Sequence, residues 1–379
     1  IAGGFLAAVP PVSRDALTHH LYVPKLYIKT GGILELPHIP FSYYPMTLDL
    51  LYMIPLVFGN DILPKYVHFF FALITAWLLY RYIHNRIGRL YGLFGAFFFL
   101  SIPVVIKLSS TVYVDLGLIC FSTASILILA EWREGGFPPA KLVWASVFCG
   151  LAMGTKYNGL VTFALLTLMV PVLFLKAHSG SQRNQCKALC QGIIFASVAL
   201  AIFSPWVIRN FIWTGNPVYP LYQNVFEKTS QAQTPNPALS DEQAVEVRDK
   251  IKWTPFNIRS IIYSESKWQI ATIPIRVFFQ GQDDNPKYFD GVLGPWLVIF
   301  PMGLLLGHPR KKALLPSVCL FFLLFAVFYL LIVFFKQDMR IRWISPIVPP
   351  LIILTTAGLH SLSHRLEVSW PHLPLKKDA

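Results

Sequence analysis

Residues 314–335, LLPSVCLFFLLFAVFYLLIVFF, followed at once by KQDMRIRWISP over 336–346, decide the fold. The first run holds no charge, and as a helix rising about 1.5 Å per residue it covers about 33 Å, close to the thickness of bilayer hydrocarbon. It is apolar on every face, so its solvent is lipid rather than water. Working outward, blocks of the same kind recur near 61–83, 91–107, 114–130, 142–155, 159–175, 190–207, 290–306 and 344–362. The chain opens on IAGGFLAAVP, which reads as the outer end of a first span truncated at its N-terminus. The blocks are continuous rather than alternating, which favours helices over a β-barrel. The expectation is an all-α polytopic membrane protein of about ten transmembrane helices. Composition agrees: 55% hydrophobic residues against 13% charged exclude an ordinary soluble domain. The domain reading is one transmembrane unit over 1–362, with a long outer loop at 208–289 inside it and a cytoplasmic tail at 363–379.

Sidedness follows from the basic residues, because Lys and Arg in short loops stay on the cytoplasmic side. Arg81, Arg86 and Arg89, then Arg133 and Lys141, then Lys176, Arg183 and Lys187, then Arg310, Lys311 and Lys312, then Arg365, Lys376 and Lys377 fall in alternate loops. Of the 19 acidic residues only Glu131, Glu134, Glu367 and Asp378 share that side. The net charge of +13 is then explained by inner loops facing anionic lipid, with no nucleic acid required. The 5 cysteines form no CxxC pair, and each reads as a small buried hydrophobe. Gly150 and Gly154 form GxxxG, a close-packing signature between helices. Asp283, Asp284 and Asp290 in GQDDNPKYFDG lack EF-hand spacing and read as a polar turn.

Two outer segments are long enough to carry function. In DALTHHLYVPKLYIKT, residues 15–30, Pro24 must break or kink an amphipathic helix that lies on the bilayer surface. Residues 46–58, MTLDLLYMIPLVF, are too short to span and carry Asp49 and Pro55, so an interfacial or re-entrant helix is expected. In the second segment, 241–252 (DEQAVEVRDKIK) reads as a short surface helix.

Ionisable residues at a membrane boundary are costly, and so mark function by default. Asp15 follows the first span directly. It suits a general base acting on an acceptor hydroxyl, or equally a helix cap. Asp115 opens the span VDLGLICFSTASILILA after a polar break, and divides between a functional acid and a helix-starting residue. His19 and His20 form an interfacial pair. With Asp15, His19 could hold a divalent cation, but two ligands do not complete a site. Lys156, Arg209, Arg340 and Arg342 lie at the outer boundary against the positive-inside trend. A phosphate ligand would account for the group, whereas snorkelling to headgroups accounts for any one of them.

The ordered motifs RDALTHHLYVPKLYIKTGGI, SYYP, VYVDL, GLAMGTKYNGL, PWVIRNFIWTGNPVYPL and DMRIRWISPIVPPL resemble multi-span GT-C glycosyltransferases. Among these the chain is similar to bacterial members related to protein O-mannosyltransferases and lipid A aminoarabinose transferases. The resemblance implies a GT-C type fold with interfacial helices in the first outer loop. It also implies a polyprenyl-phosphate sugar as donor, a hexosyl or pentosyl group moved with inversion, and an acceptor hydroxyl or amine on the periplasmic face of a bacterial inner membrane. It places catalytic acids at Asp15 and Asp115 and phosphate-binding cations at Lys156, Arg340 and Arg342, with His19, His20, Tyr44 and Arg209 as further substrate-binding positions. A divalent metal ion is an optional cofactor in this reading. Many relatives carry Asp-Glu in the first loop where this chain has Asp15-Ala16, which argues against the protein-mannosylating subclass. Two other classes stay open, a membrane transporter and a non-catalytic subunit of a larger membrane complex.

Overall fold

In a computed structural model of the chain, the described residues are 2–178, 181–230, 254–306, 315–336 and 339–369, and they hold helices without a β-strand. Three short helices come first, α1 (Ala2–Ala7), α2 (Tyr22–Thr30) and α3 (Thr47–Val57). Helix α4 (Leu63–Ile87) starts with Pro64 in its first turn, where no N–H is needed, and stops at Gly88, whose φ of +102° few other residues tolerate. Helices α5 (Arg89–Ser101) and α6 (Pro103–Ser109) come from one apolar block bent by 66°. Pro103 causes the bend by removing an N–H and forcing Ile102 into an extended conformation. Then follow α7 (Asp115–Glu134), α8 (Pro139–Thr155), α9 (Gly159–Leu175), α10 (Gln182–Thr214) and α11 (Gln223–Ser230). After the outer segment come α12 (Pro316–Lys336) and α13 (Val348–Ser369).

The all-α polytopic expectation holds, but the number of full-length spans is smaller. Among the described residues 5 helices are long and apolar enough to cross a membrane, or 6 if the bent pair counts as one. Proline accounts for much of the difference. The block at 290–306 contains Pro295 and Pro301 and divides into Trp296–Ile299, Phe300–Met302 and Gly303–Leu306.

Helix α7 lies at the centre, packed by α4, α8 and α9. Small residues permit this. A Cβ on Gly117 would meet Leu48 of α3 at 2.8 Å, and one on Gly150 would meet Ile202 and the Ala199 carbonyl of α10 at 2.6 and 2.7 Å. Gly154 is crowded in the same way by Thr47 and Trp206, so the GxxxG pair works as a packing face. Hydroxyls join the helices where no water can: Ser125 donates to the Ala145 carbonyl at 2.8 Å, and Ser122 meets Thr162 at 3.2 Å. At the end of the bundle expected to be cytoplasmic, Arg86 of α4 pairs with Glu134 of α7, and Lys141 of α8 pairs with Glu131 at 3.0 Å.

The outer segments depart from expectation in three places. The surface helix breaks at Leu21, between a wide turn at Ala16–His20 and α2. Pro24 sits in the first turn of α2, where its missing N–H does no harm. Helix α10 runs on to Thr214 and ends at Gly215, φ +70°, so the segment expected to be loop from 208 begins as helix. Residues 363–369 continue α13. The expected helix at 241–252 lies outside the described residues, as do Arg310, Lys311, Lys312, Lys376 and Lys377.

Candidate active site

Asp15 ends the stretch that links α1 to the wide turn. Its side chain makes no capping bond to that turn; it accepts a hydrogen bond of 2.8 Å from the Arg342 guanidinium instead. Arg342 arrives from the turn Ile341–Ile344, which is pinned from two sides. The Ile341 N–H donates to the Phe289 carbonyl at 2.9 Å, and Asn158 donates to the Trp343 carbonyl at 3.2 Å. Residues 327 positions apart are thereby brought into contact. Burial alone would raise the Asp15 carboxyl, but the hydrogen bond and charge of Arg342 outweigh it and hold the group below its ordinary value.

Asp115 opens α7 and is buried, and Lys156 in the turn between α8 and α9 reaches it at 2.7 Å. The N-terminus of α7 is capped from a different helix. The buried His68 of α4 accepts at Nε2 from the Leu116 N–H at 3.0 Å, while its Nδ1 faces the carbonyls of Leu108 and Thr111, each at 3.0 Å. Only the tautomer with the proton on Nδ1 satisfies both sides. Tyr52 of α3 donates to the Tyr113 carbonyl and fixes the same loop. Arg342 also stacks 5.0 Å from the Tyr113 ring, and its charge acts on Asp115, while the charges of Asp115 and Asp15 both act on Lys156. Two carboxylates and two cations therefore form one cluster.

One wall is aromatic. The ring centroids of His19 and Phe41 lie 4.5 Å apart, those of Phe41 and Tyr44 5.6 Å, and those of Tyr44 and Tyr157 5.4 Å. Burial, aided by the neighbouring His20, pushes His19 down to about 3, so its imidazole is neutral at physiological pH. His20 is held differently, with its Nδ1 2.7 Å from Asp49, which is buried inside α3.

Sequence reading therefore placed Asp15, Asp115, Lys156, Arg342, His19, His20 and Tyr44 in one neighbourhood. It did not foresee that Arg340 and Arg342 point apart. Arg340 turns to Asp290 at 4.0 Å and lies 5.7 Å from the Trp343 ring. Asp290 also accepts from Lys107 at 2.9 Å, and Lys107 meets Asp284 at 3.1 Å and Asp283 at 3.6 Å, so the expected polar turn is an acidic clasp. Arg209 sits one layer out, donating to the Tyr44 carbonyl at 3.0 Å and lying 4.7 and 4.9 Å from the Trp206 and Trp213 rings. Asp49, the partner of His20, was not singled out as a candidate. The available signal was an acid inside a short apolar helix, which needs a partner, with two histidines in the preceding segment. As to a divalent cation, Asp15 and Asp115 each already hold a basic side chain, and no group of 3 or more His, Cys, Asp or Glu is gathered to bind one among the described residues.

Residues 44–208 match the family described as dolichyl-phosphate-mannose-protein mannosyltransferase. That stretch holds Tyr44, Asp115 and Lys156 but neither Asp15 nor Arg342. No curated protein matches the chain. Among solved structures, the chain is similar to ArnT from Cupriavidus metallidurans bound to undecaprenyl phosphate, at 17% identity and a TM-score of 0.59, over 97% of this chain and 60% of that one. The apo state of the same protein gives 17% and 0.57, over 96% and 57%. The oligosaccharyltransferase of Archaeoglobus fulgidus in its apo form gives 12% and 0.51, over 97% and 50%. The likeness is one of fold, which is of the GT-C type, and the chain spans about 60% of the length of the first of these structures.

Proposed function

We propose that this chain is a membrane glycosyltransferase that moves a sugar from a polyprenyl-phosphate donor to an acceptor nucleophile at the membrane boundary where Asp15 lies. The observation that carries the reading is the cluster in which Asp15 and Asp115 are neutralised by Arg342 and Lys156 beside an aromatic wall. Breaking a glycosyl-phosphate bond puts positive character on the anomeric carbon and a second negative charge on the leaving phosphate, so cations and a carboxylate on one face are the parts required.

The pairing suggests how the parts are used. Without donor, Arg342 holds Asp15 as a weak base. A phosphate drawn between Arg342 and Lys156 competes with Asp15 for Arg342 and shares Lys156 with Asp115, and the departing phosphate competes harder as its charge grows. Asp15 is then free to take the proton as the acceptor oxygen or nitrogen attacks the anomeric carbon and the carbon–oxygen bond to phosphate breaks, with inversion. Asp115 stays on Lys156 and sets its position. The facing is periplasmic and the membrane a bacterial inner membrane in this reading, with the sugar a hexose or pentose. No step is assigned to a metal ion.

The test is incubation of the purified protein in liposomes with labelled polyprenyl-phosphate sugars, scoring release or transfer of the sugar. Turnover by the natural protein and its loss in Asp15→Asn, with the variant still eluting as a folded species, is the expected result. Full activity in Asp15→Asn, or solute uptake without any sugar release, would overturn the reading, and the second outcome would favour a transporter.

A further inference from the structure

Asp49 and His20 are not used by the chemistry above, yet they form the most enclosed acid–imidazole pair at this end of the molecule. Asp49 keeps 3% of its side-chain surface and His20 keeps 11%, at a separation of 2.7 Å. A carboxylate only accepts, so Nδ1 of His20 carries the proton that bridges to Asp49, and in that tautomer of the imidazole the lone pair lies on Nε2. That nitrogen makes no bond among those of the described residues and is not among the enclosed polar atoms left without a partner, so it is the edge that stays open. His20 stands five positions after Asp15 at the far end of the same wide turn, whose i to i+5 bonding, with the Leu21 N–H donating to the Ala16 carbonyl at 2.9 Å, brings residues five apart toward one side.

The groups that face the imidazole are Asp49 from α3, His19 from its own turn with ring centroids 4.1 Å apart, and Tyr113 with centroids 5.8 Å apart. His68 of α4 also lies within its electrostatic reach. His19 is too weak a base to receive a proton here, since burial holds it near 3. His68 has both ring nitrogens committed to backbone.

We propose that His20, oriented by Asp49, is a proton relay that restores Asp15 after each turnover. The proposal rests on the reading of Asp15 as the base. In the step, the proton that Asp15 has taken from the acceptor passes to Nε2 of His20, directly or through one water. Asp15 returns to the carboxylate form, the imidazolium is stabilised by Asp49, and the proton leaves to solvent from Nε2. An imidazole is ordinarily a stronger base than a carboxylate, so the transfer runs toward His20, and the carboxylate it regenerates can pair with Arg342 again once the phosphate has left. Asp49 is a positioning residue: it sets the tautomer and supports the charged ring, as an acid behind a histidine does elsewhere.

The experiment is rapid-mixing kinetics of sugar release in His20→Asn and Asp49→Asn, with Asp15→Asn alongside. Asparagine at 20 can keep a donor toward Asp49 while removing Nε2, so the fold is spared. The expected result for His20→Asn is a first turnover near the natural rate, about one equivalent of sugar released, then a steady state at least about tenfold slower that imidazole in the buffer restores. Asp49→Asn should show the same burst with a smaller steady-state loss, and Asp15→Asn no burst. An unchanged steady state in His20→Asn, or a first turnover slowed as much as the later ones and not rescued by imidazole, overturns the relay while leaving Asp15 as base. Absence of any sugar release by the natural protein overturns the functional reading, and the relay with it.

Discussion

The two ends of the helix bundle both carry ion pairs, but they are built differently. At one end Arg86–Glu134 and Lys141–Glu131 join helices that are neighbours in the fold, and the Arg86 guanidinium lies 3.5 Å from the Tyr82 ring. These pairs close a surface. At the other end Arg342 reaches Asp15 across 327 positions of sequence, and the four segments that supply Asp15, Asp115, Lys156 and Arg342 are held by hydrogen bonds of their own. Nature has many cheaper ways to pair an arginine with an acid. Holding the two pairs Asp15–Arg342 and Asp115–Lys156 together beside an aromatic wall makes sense where one of them, Asp15–Arg342, must open for a ligand.

That contrast can be broken in order of effect. Asp15→Asn should lower sugar turnover by about 10²–10⁴-fold in a steady-state assay, since it removes the proton acceptor while keeping the shape. Lys156→Met should cost about 10²–10³-fold and raise the donor concentration needed for half-maximal rate, measured in the same assay, because both ground-state binding and stabilisation of the leaving phosphate are lost. Glu134→Gln, at the opposite end, should lower stability by about 1–3 kcal/mol in thermal unfolding and leave turnover per folded molecule unchanged. Lys25→Ala breaks a pair with Asp61 whose partners keep 45% and 43% of their side-chain surface, and should change stability by less than about 1 kcal/mol. A large loss of turnover from Glu134→Gln would remove the distinction between the two ends.

A separate effect is one of pH. The folded value of His19, about 3, lies below its ordinary 6.5, so below about pH 6.5 the unfolded chain takes a proton that the folded chain refuses. Stability should therefore fall as pH drops from about 6.5 toward 3 and be insensitive to this group above that window. Melting curves between about pH 7 and about pH 5 should fall less steeply in His19→Gln than in the natural protein.

The fold was legible in the sequence wherever hydrophobicity alone decides it. The run at 314–335 and the block at 114–130 correspond to helices α12 and α7, because lipid requires every backbone group to be bonded internally. Where proline interrupts the run, as at Pro103, Pro295 and Pro301, hydropathy gave the block but not the break. The site was legible as a set of residue types at one boundary. Asp15, Asp115, Lys156 and Arg342 stand out because each is costly there without a partner. Their pairing was not legible, since it depends on which segments the helices bring together over long sequence separations. For that reason Arg340, two residues from Arg342, could be grouped with it although it faces Asp290. Asp49 was overlooked because its partner lies on a different short helical segment, and no periodicity links the two.

On the function proposed above, the Asp15–Arg342 pair opens for a lipid phosphate. An experimental structure of the protein with polyprenyl phosphate bound tests it most directly. The expected result is a phosphorus position between Arg342 and Lys156, with phosphate oxygens within about 4 Å of both cationic groups and the Asp15 carboxylate released from Arg342. A phosphate seated elsewhere, with the Asp15–Arg342 contact intact, would contradict it.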